Sequence, residues 1–210
     1  PQFQRALQID PSYHQARRNL ALAYQRTFRW ADALAEYETL GRLADGSDDD
    51  RLLIGALALQ AGDLDKAAAN LHAVINRHPD SYPAWFNLGL AEVRRGRATE
   101  AEQAFQQAAA LNPNDPDVYY QRGVLASRDG RSSDAAQLFE AALARRPEYF
   151  LAHYELARLE DGRGRRDAAA EHYQRFVETV PRDPAWSDAR AEADAWLAAR
   201  GRSGHGAVGR

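Results

Sequence analysis

A period of 34 residues dominates this chain and leaves few folds open to it. Ala33, Ala67, Ala101, Ala135 and Ala169 recur at that interval without an insertion or deletion. Phe28, Gly62, Gly96, Gly130 and Gly164 do the same, and only the first departs from glycine. A third column reads Pro11, Asp45, Pro79, Pro113, Pro147, Pro181. A fourth, large and apolar throughout, reads Phe3, Tyr37, Leu71, Phe105, Phe139, Tyr173. Repetition on this scale marks a stack of small supersecondary units, none able to cover its own apolar face alone.

Each unit reads as two helices. From Tyr82 to Arg95 the residues Trp85, Leu88 and Val93 recur at helical spacing. Gly96 stops that helix, because glycine takes the left-handed conformation that a helix end requires. A second helix is expected over about 98–111, with Ala101, Phe105 and Ala108 on one face, and Pro113 ends it. Small side chains let the two antiparallel helices approach. Gly89 is expected to meet Ala101, with Trp85 and Phe105 filling the space between neighbouring repeats.

The run Trp85-Phe86-Asn87-Leu88-Gly89, then Ala101, Phe105, Ala108 and Pro113, resembles the tetratricopeptide repeat family. The resemblance covers residues 1–183. It implies an all-α, right-handed superhelical solenoid of antiparallel helix pairs. A partial repeat at 1–13 is followed by repeats at 14–47, 48–81, 82–115, 116–149 and 150–183. Three positions depart from the pattern. Arg122 stands in the column of Leu20, Ile54, Leu88 and Leu156, Phe28 replaces a turn glycine, and Asp45 replaces a proline. The acidic stretch 45–50 reads as a solvated turn with N-capping aspartates, a cation site being the alternative.

Residues 1–11 match only the second helix of a repeat, so the native chain is expected to continue upstream. Over 184–200, Trp186, Ala189, Ala193, Trp196 and Leu197 form an apolar stripe opposite Asp188, Arg190, Glu192 and Asp194. That is the pattern of a capping helix. Residues 201–210 lack periodicity and read as a flexible tail.

Composition narrows the partners. A net charge of -3, from 27 basic and 30 acidic residues, argues against a surface that tracks phosphates. The arginines at 163, 165 and 166 are flanked by Glu160, Asp161 and Asp167. No window is apolar enough for a spanning helix. Cysteine is absent, which removes disulfides and thiolate chemistry and fits the cytoplasm and the periplasm alike. Lys66 is the only lysine, and the arginine and alanine richness suggests a GC-rich bacterial source.

Candidate chemistry is sparse. Gly204 to Gly209 spells G-x-G-x-x-G, but a single residue follows where a dinucleotide site needs a helix. The six histidines include no i, i+4 pair, and His153 takes the place of Trp85 and Tyr119, which favours core packing. Glu92 and Glu160 occupy a column where the family often places tyrosine, and read as solvated or arginine-paired carboxylates. No nucleophile, base and orienting group come together, so neither catalysis nor a cofactor nor a metal is expected.

In the family resembled, the first helices of the pairs line a concave surface that receives peptides. The corresponding columns here are Arg18, Leu52, Phe86, Tyr120, Tyr154; then Leu22, Ala56, Leu90, Val124, Arg158; then Arg26, Gln60, Arg94, Arg128, Gly162; and Asn19, Leu53, Asn87, Gln121, Glu155. Phe86 with Leu90, and Tyr120 with Val124, would form an apolar floor that Arg94 and Arg128 continue. Asn19, Asn87 and Gln121 suit an extended peptide backbone. The alternative is that Phe86, Tyr120 and Tyr154 pack against adjacent helices. The family's carboxylate clamp of two lysines, two asparagines and an arginine matches Leu52, Ala56, Asn87, Asp117 and Gln121 at one position only. The resemblance thus implies a scaffold or adaptor that binds another protein or a peptide, with no nucleic acid and no membrane insertion. The alternative is the C-terminal docking or regulatory region of a larger enzyme, such as a glycosyltransferase or a sulfatase-like hydrolase. A structural spacer comes third.

Overall fold

The computed structural model describes the backbone of residues 2–43 and 48–205, and the side chains of residues 2–42 and 48–200. Among the described residues every regular element is helical. Two compact units emerge, Pro1–Pro113 and Asn114–Arg210. The first holds α1 (Gln2–Ile9), α2 (His14–Arg26), α3 (Trp30–Leu43), α4 (Asp48–Ala61), α5 (Leu64–Arg77), α6 (Tyr82–Arg94) and α7 (Ala98–Leu111). The second holds α8 (Pro116–Arg128), α9 (Ser132–Arg145), α10 (Phe150–Gly162), α11 (Arg166–Thr179), a 3-10 turn at Pro184–Trp186 and α12 (Ser187–His205). Within each unit a helix packs on its neighbours in sequence, and α4 also meets α6.

One closure recurs at the five turns inside the helix pairs. Gly62, Gly96, Gly130 and Gly164 have φ between 74 and 85°, and Phe28 takes 57° in the same place. The residue after each donates its amide to a carbonyl five residues back. Arg29 to Tyr24, Asp63 to Ala58, Arg97 to Glu92, Arg131 to Ala126 and Arg165 to Glu160 all measure 2.9 Å. Such a bond satisfies a carbonyl that the helix end leaves orphaned. Phe28 makes it at the steric cost of a left-handed backbone. Its ring stays in water, 76% exposed, edge-on to Trp30 at 5.6 Å.

The alanine column is fully buried at every repeat. Phe105 and Phe139 are also fully buried, each stabilising its pair by about 1.5–3 kcal/mol. The contact expected between Gly89 and Ala101 is different in detail. The three atoms nearest to a Cβ built at Gly89 all belong to the Phe105 ring, the closest at 2.5 Å. Gly123 sits over Phe139 at 2.6 Å in the same way. Phe105 therefore fills the space inside its own pair.

Polar ties act both between repeats, from Lys66 to Glu38, and within the repeat 48–81. The Lys66 ammonium bridges Glu38 at 2.6 Å and Asp63 at 3.2 Å. Asp48 accepts from Arg77 at 2.9 Å and from His78 at 3.0 Å. Residues 45–47 of the acidic stretch lie outside the described residues. In the second unit Ala189, Trp196 and Leu197 of α12 pack on the cluster of Ala157, Tyr173 and Phe176. The helix runs to His205, past Arg200, where the sequence expectation ended it; residues 206–210 lie outside the described residues.

Candidate peptide-binding faces

In the first unit the expected face lies on α2, α4 and α6, the first helices of their pairs. Phe86 does not stand free. Its ring stacks on Tyr82 at 5.8 Å and tilts against Phe105 at 5.8 Å. Leu52 and Leu90 are half-buried against the core. Arg94 is engaged as well: its Nη1 donates to the Leu59 carbonyl at 2.6 Å, near the C-terminus of α4. A cation there complements the partial negative charge of the helix end. Arg18 and Arg26 are exposed, and neither makes a side-chain hydrogen bond or ion pair among the described residues. Asn19 accepts from Gln15 at 3.2 Å, while the half-buried Asn87 amide has no partner among the described residues.

The second unit carries the remaining expected residues on α8 and α10. Tyr120 packs against Phe139 at 5.7 Å and Tyr149 at 5.3 Å, and burial pushes its hydroxyl up to about 12. Gln121 and Val124 are half-buried, and the Gln121 amide has no partner among the described residues. Tyr154 lies between Tyr173 and Phe176 and donates its hydroxyl to Glu192 of α12 at 2.7 Å. Arg158 reaches Glu155 at 3.8 Å and lies over the Tyr154 ring at 5.8 Å. Burial raises the Glu155 carboxyl, with Arg158 and Arg128 acting in the opposite sense. Phe86, Tyr120 and Tyr154 thus all have ring partners on neighbouring helices. The partnerless amides, and the arginines at 18 and 26, remain available.

Three features add to the sequence expectations, which give Glu92 and Glu160 as solvated or arginine-paired carboxylates. The buried Glu92 and Glu160 each gather two arginines around a turn. Glu92 holds Arg95 at 2.9 Å and lies 3.8 Å from Arg97. Glu160 accepts from Arg163 at 3.1 Å and from Arg165. The arginine-rich turns were the visible signal. Secondly, His153 Nε2 donates to the Pro147 carbonyl at 2.9 Å, as Trp85 Nε1 does to Pro79 at 2.8 Å, and its Nδ1 meets His172 Nδ1 at 3.0 Å. Finally, a cavity of about 520 Å³ opens between α1 and α2, lined by Phe3, Asn19, Leu22, Ala23, Arg26 and Thr27. Asn19, Leu22 and Arg26 belong to the first-helix columns above, and Phe3 to the large apolar column of Phe105 and Phe139.

Residues 52–116 and 120–184, more than half of the chain, match the family model described as tetratricopeptide repeat. The chain is a tetratricopeptide repeat protein. Superkiller protein 3 of Schizosaccharomyces pombe is 29% identical to this repeat protein over 124 residues, 54% of the chain and 9% of that relative. The chain thus spans less than a tenth of that relative's length. Among solved structures, MamA from Desulfovibrio magneticus RS-1 aligns with a TM-score of 0.69 at 19% identity, over 79% of this tetratricopeptide repeat chain and 94% of MamA. TTC0263, a thermophilic tetratricopeptide repeat protein of Thermus thermophilus, gives 0.67 at 22% identity over 88% and 98%. YrrB, described as having an unusual peptide-binding site, gives 0.63 at 18% over 92% and 97%. At these identities the likeness is one of fold.

Proposed function

We propose that the chain is a scaffold or adaptor that binds a peptide segment of a partner protein on the first-helix face of its repeats. One observation carries this. An amide followed three positions later by an apolar residue recurs at the same place on three helices: Asn19 and Leu22 on α2, Asn87 and Leu90 on α6, Gln121 and Val124 on α8. Two residues so spaced share one helix surface. The Asn87 and Gln121 amides hold donors and an acceptor without a partner among the described residues, as a peptide backbone requires. In the first unit Leu52 and Phe86 act as the floor beneath these residues and Arg94 borders them; in the second, Tyr120 and Tyr154 act as the floor, with Arg128 and Arg158 at the border. The chain itself then binds and positions; any catalysis belongs to what it assembles.

The test is a peptide-library screen followed by titration of the best ligand. Asn87→Ala and Gln121→Ala should each weaken binding several-fold at an unchanged melting temperature, as loss of roughly one hydrogen bond implies. Equal affinity in both variants would falsify the assignment. A chain that captures no library peptide would overturn the proposed function as a whole.

A further inference from the structure

Two imidazoles from adjacent helices of the second unit meet nitrogen to nitrogen: His153 of α10 and His172 of α11, with ring centroids 5.3 Å apart and Nδ1 atoms 3.0 Å apart. They stand 19 residues apart in the chain, so no helical spacing announces the pair. The Pro147 carbonyl accepts from His153 Nε2 at 2.9 Å, which fixes the proton of the neutral ring there and leaves Nδ1 as a bare lone pair. An imidazole anchored by a backbone carbonyl at one nitrogen is the arrangement that orients a metal-bound histidine at the other. His172 Nε2 has no hydrogen-bond partner among the described residues. With its proton on Nε2, His172 turns a second lone pair toward the first.

The surroundings suit a small dication. Zinc binds imidazole nitrogen at about 2.0–2.1 Å in a tetrahedron, which puts two such nitrogens about 3.4 Å apart, roughly 0.4 Å more than they stand now. His153 is buried, and the half-buried His172 gives the pair its access to water. Glu140 of α9, Glu160 of α10 and Glu171 of α11 set up a field at His172 that favours positive charge, while Arg175 of α11 opposes it at His153. Glu160 is committed to Arg163 and Arg165. Glu140 and Glu171 make no hydrogen bond or ion pair among the described residues, so their charge is left uncompensated. Burial also lowers both imidazoles, which keeps them neutral at pH 7.

We propose that His153 and His172 form a two-histidine site for a divalent transition-metal ion, Zn2+ foremost, bound through both Nδ1 atoms. The site lies apart from the amides of the proposed function and does not depend on them. The hydrogen bond between the rings gives way to two nitrogen–metal bonds. His172 loses its Nδ1 proton to water and gains one at Nε2, so the rings stay neutral. No third histidine, cysteine, aspartate or glutamate completes a ligand set among the described residues, and water fills the two further positions. The bound ion ties α10 to α11.

The test titrates Zn2+ by calorimetry into the full chain stripped with a chelator, at neutral pH. One ion per chain should bind, and the melting temperature should rise with free metal. His172→Gln should weaken binding roughly tenfold or more, because losing a ligand costs at least as much as losing an outer-shell partner. His172→Cys should retain it, since thiolate is itself a zinc ligand. The chain has no other cysteine, so a sulfur-to-metal charge-transfer band with Co2+ in that variant would place the ion at this position. Equal Zn2+ affinity in the native chain and in His172→Gln would mean an adventitious ion only and overturn the inference. So would a native chain that binds no Zn2+, or a His172→Cys variant that shows no band.

Discussion

His153 and His172 face each other Nδ1 to Nδ1 at 3.0 Å, one on α10 and the other on α11. The Pro147 carbonyl can only accept, so His153 carries its proton on Nε2 and its Nδ1 accepts from His172. A second proton on the pair would set two cations in contact. Burial holds both imidazoles below the ordinary histidine value, with His153 adding to the effect on His172; Glu140, Glu160 and Glu171 pull upward, and Arg175 pulls His153 down. The unfolded chain thus binds protons first as pH falls. The stabilising contribution is full above the ordinary histidine value of about 6.5 and is lost as pH drops through the lower folded values. Thermal melts from pH 8 to pH 5 should show this loss, and His172→Gln should flatten it. Identical pH profiles for the two proteins would refute the coupling.

Gly89 and Gly123 differ from Gly162 in what a methyl group would meet. At the first two a Cβ would strike a buried ring at 2.5 and 2.6 Å, while at Gly162 nothing lies within 4 Å. Overpacking of this kind costs about 1–3 kcal/mol. Gly89→Ala and Gly123→Ala should lower the urea midpoint accordingly. Gly162→Ala should leave the stability unchanged or raise it by up to about 1 kcal/mol.

Phe28 offers the opposite sign. Glycine at its left-handed backbone relieves about 1–2 kcal/mol, against the loss of an exposed edge contact worth about 0.5 kcal/mol. Phe28→Gly should raise the melting temperature, and Phe28→Val should lower it. A lower melting temperature in Phe28→Gly would mean that the ring contributes more than its contact with Trp30.

Glu160 is buried and ringed by Arg163 and Arg165, and the Arg165 hydrogen bond holds its carboxyl below the usual range despite burial. Its contribution is present above the ordinary glutamate value and falls away in acid. Glu160→Gln should cost about 1–3 kcal/mol at neutral pH by denaturant titration. Below pH 4 the difference from the native chain should shrink.

Helix ends were legible because they are written in residues with special backbones: the glycines at 62, 96, 130 and 164, and the prolines that follow α5, α7, α9 and α11. What opposes what was less so. Spacing puts Ala101 and Phe105 on one face without saying which lies over Gly89. The acceptor of Arg94, the Leu59 carbonyl, is backbone and leaves no trace in composition. The histidine pair joins two columns that no single period connects. Phe86 stands in the first-helix column of Leu52 and Tyr120, and the same aromatic ring stacks on Tyr82 and Phe105. Leu22 lacks such a ring and is the more exposed of the two.

Lys66 carries the only side-chain amine in the chain, and Glu38 and Asp63 hold it charged. Acylating reagents attack only the neutral amine. Modification is therefore slowed while the half-exposed ammonium keeps its bridges to Glu38 and Asp63, and speeds when they open. The rate at which the residue is labelled becomes a stopwatch for that local opening, read by mass spectrometry on a single peptide, with no engineered probe.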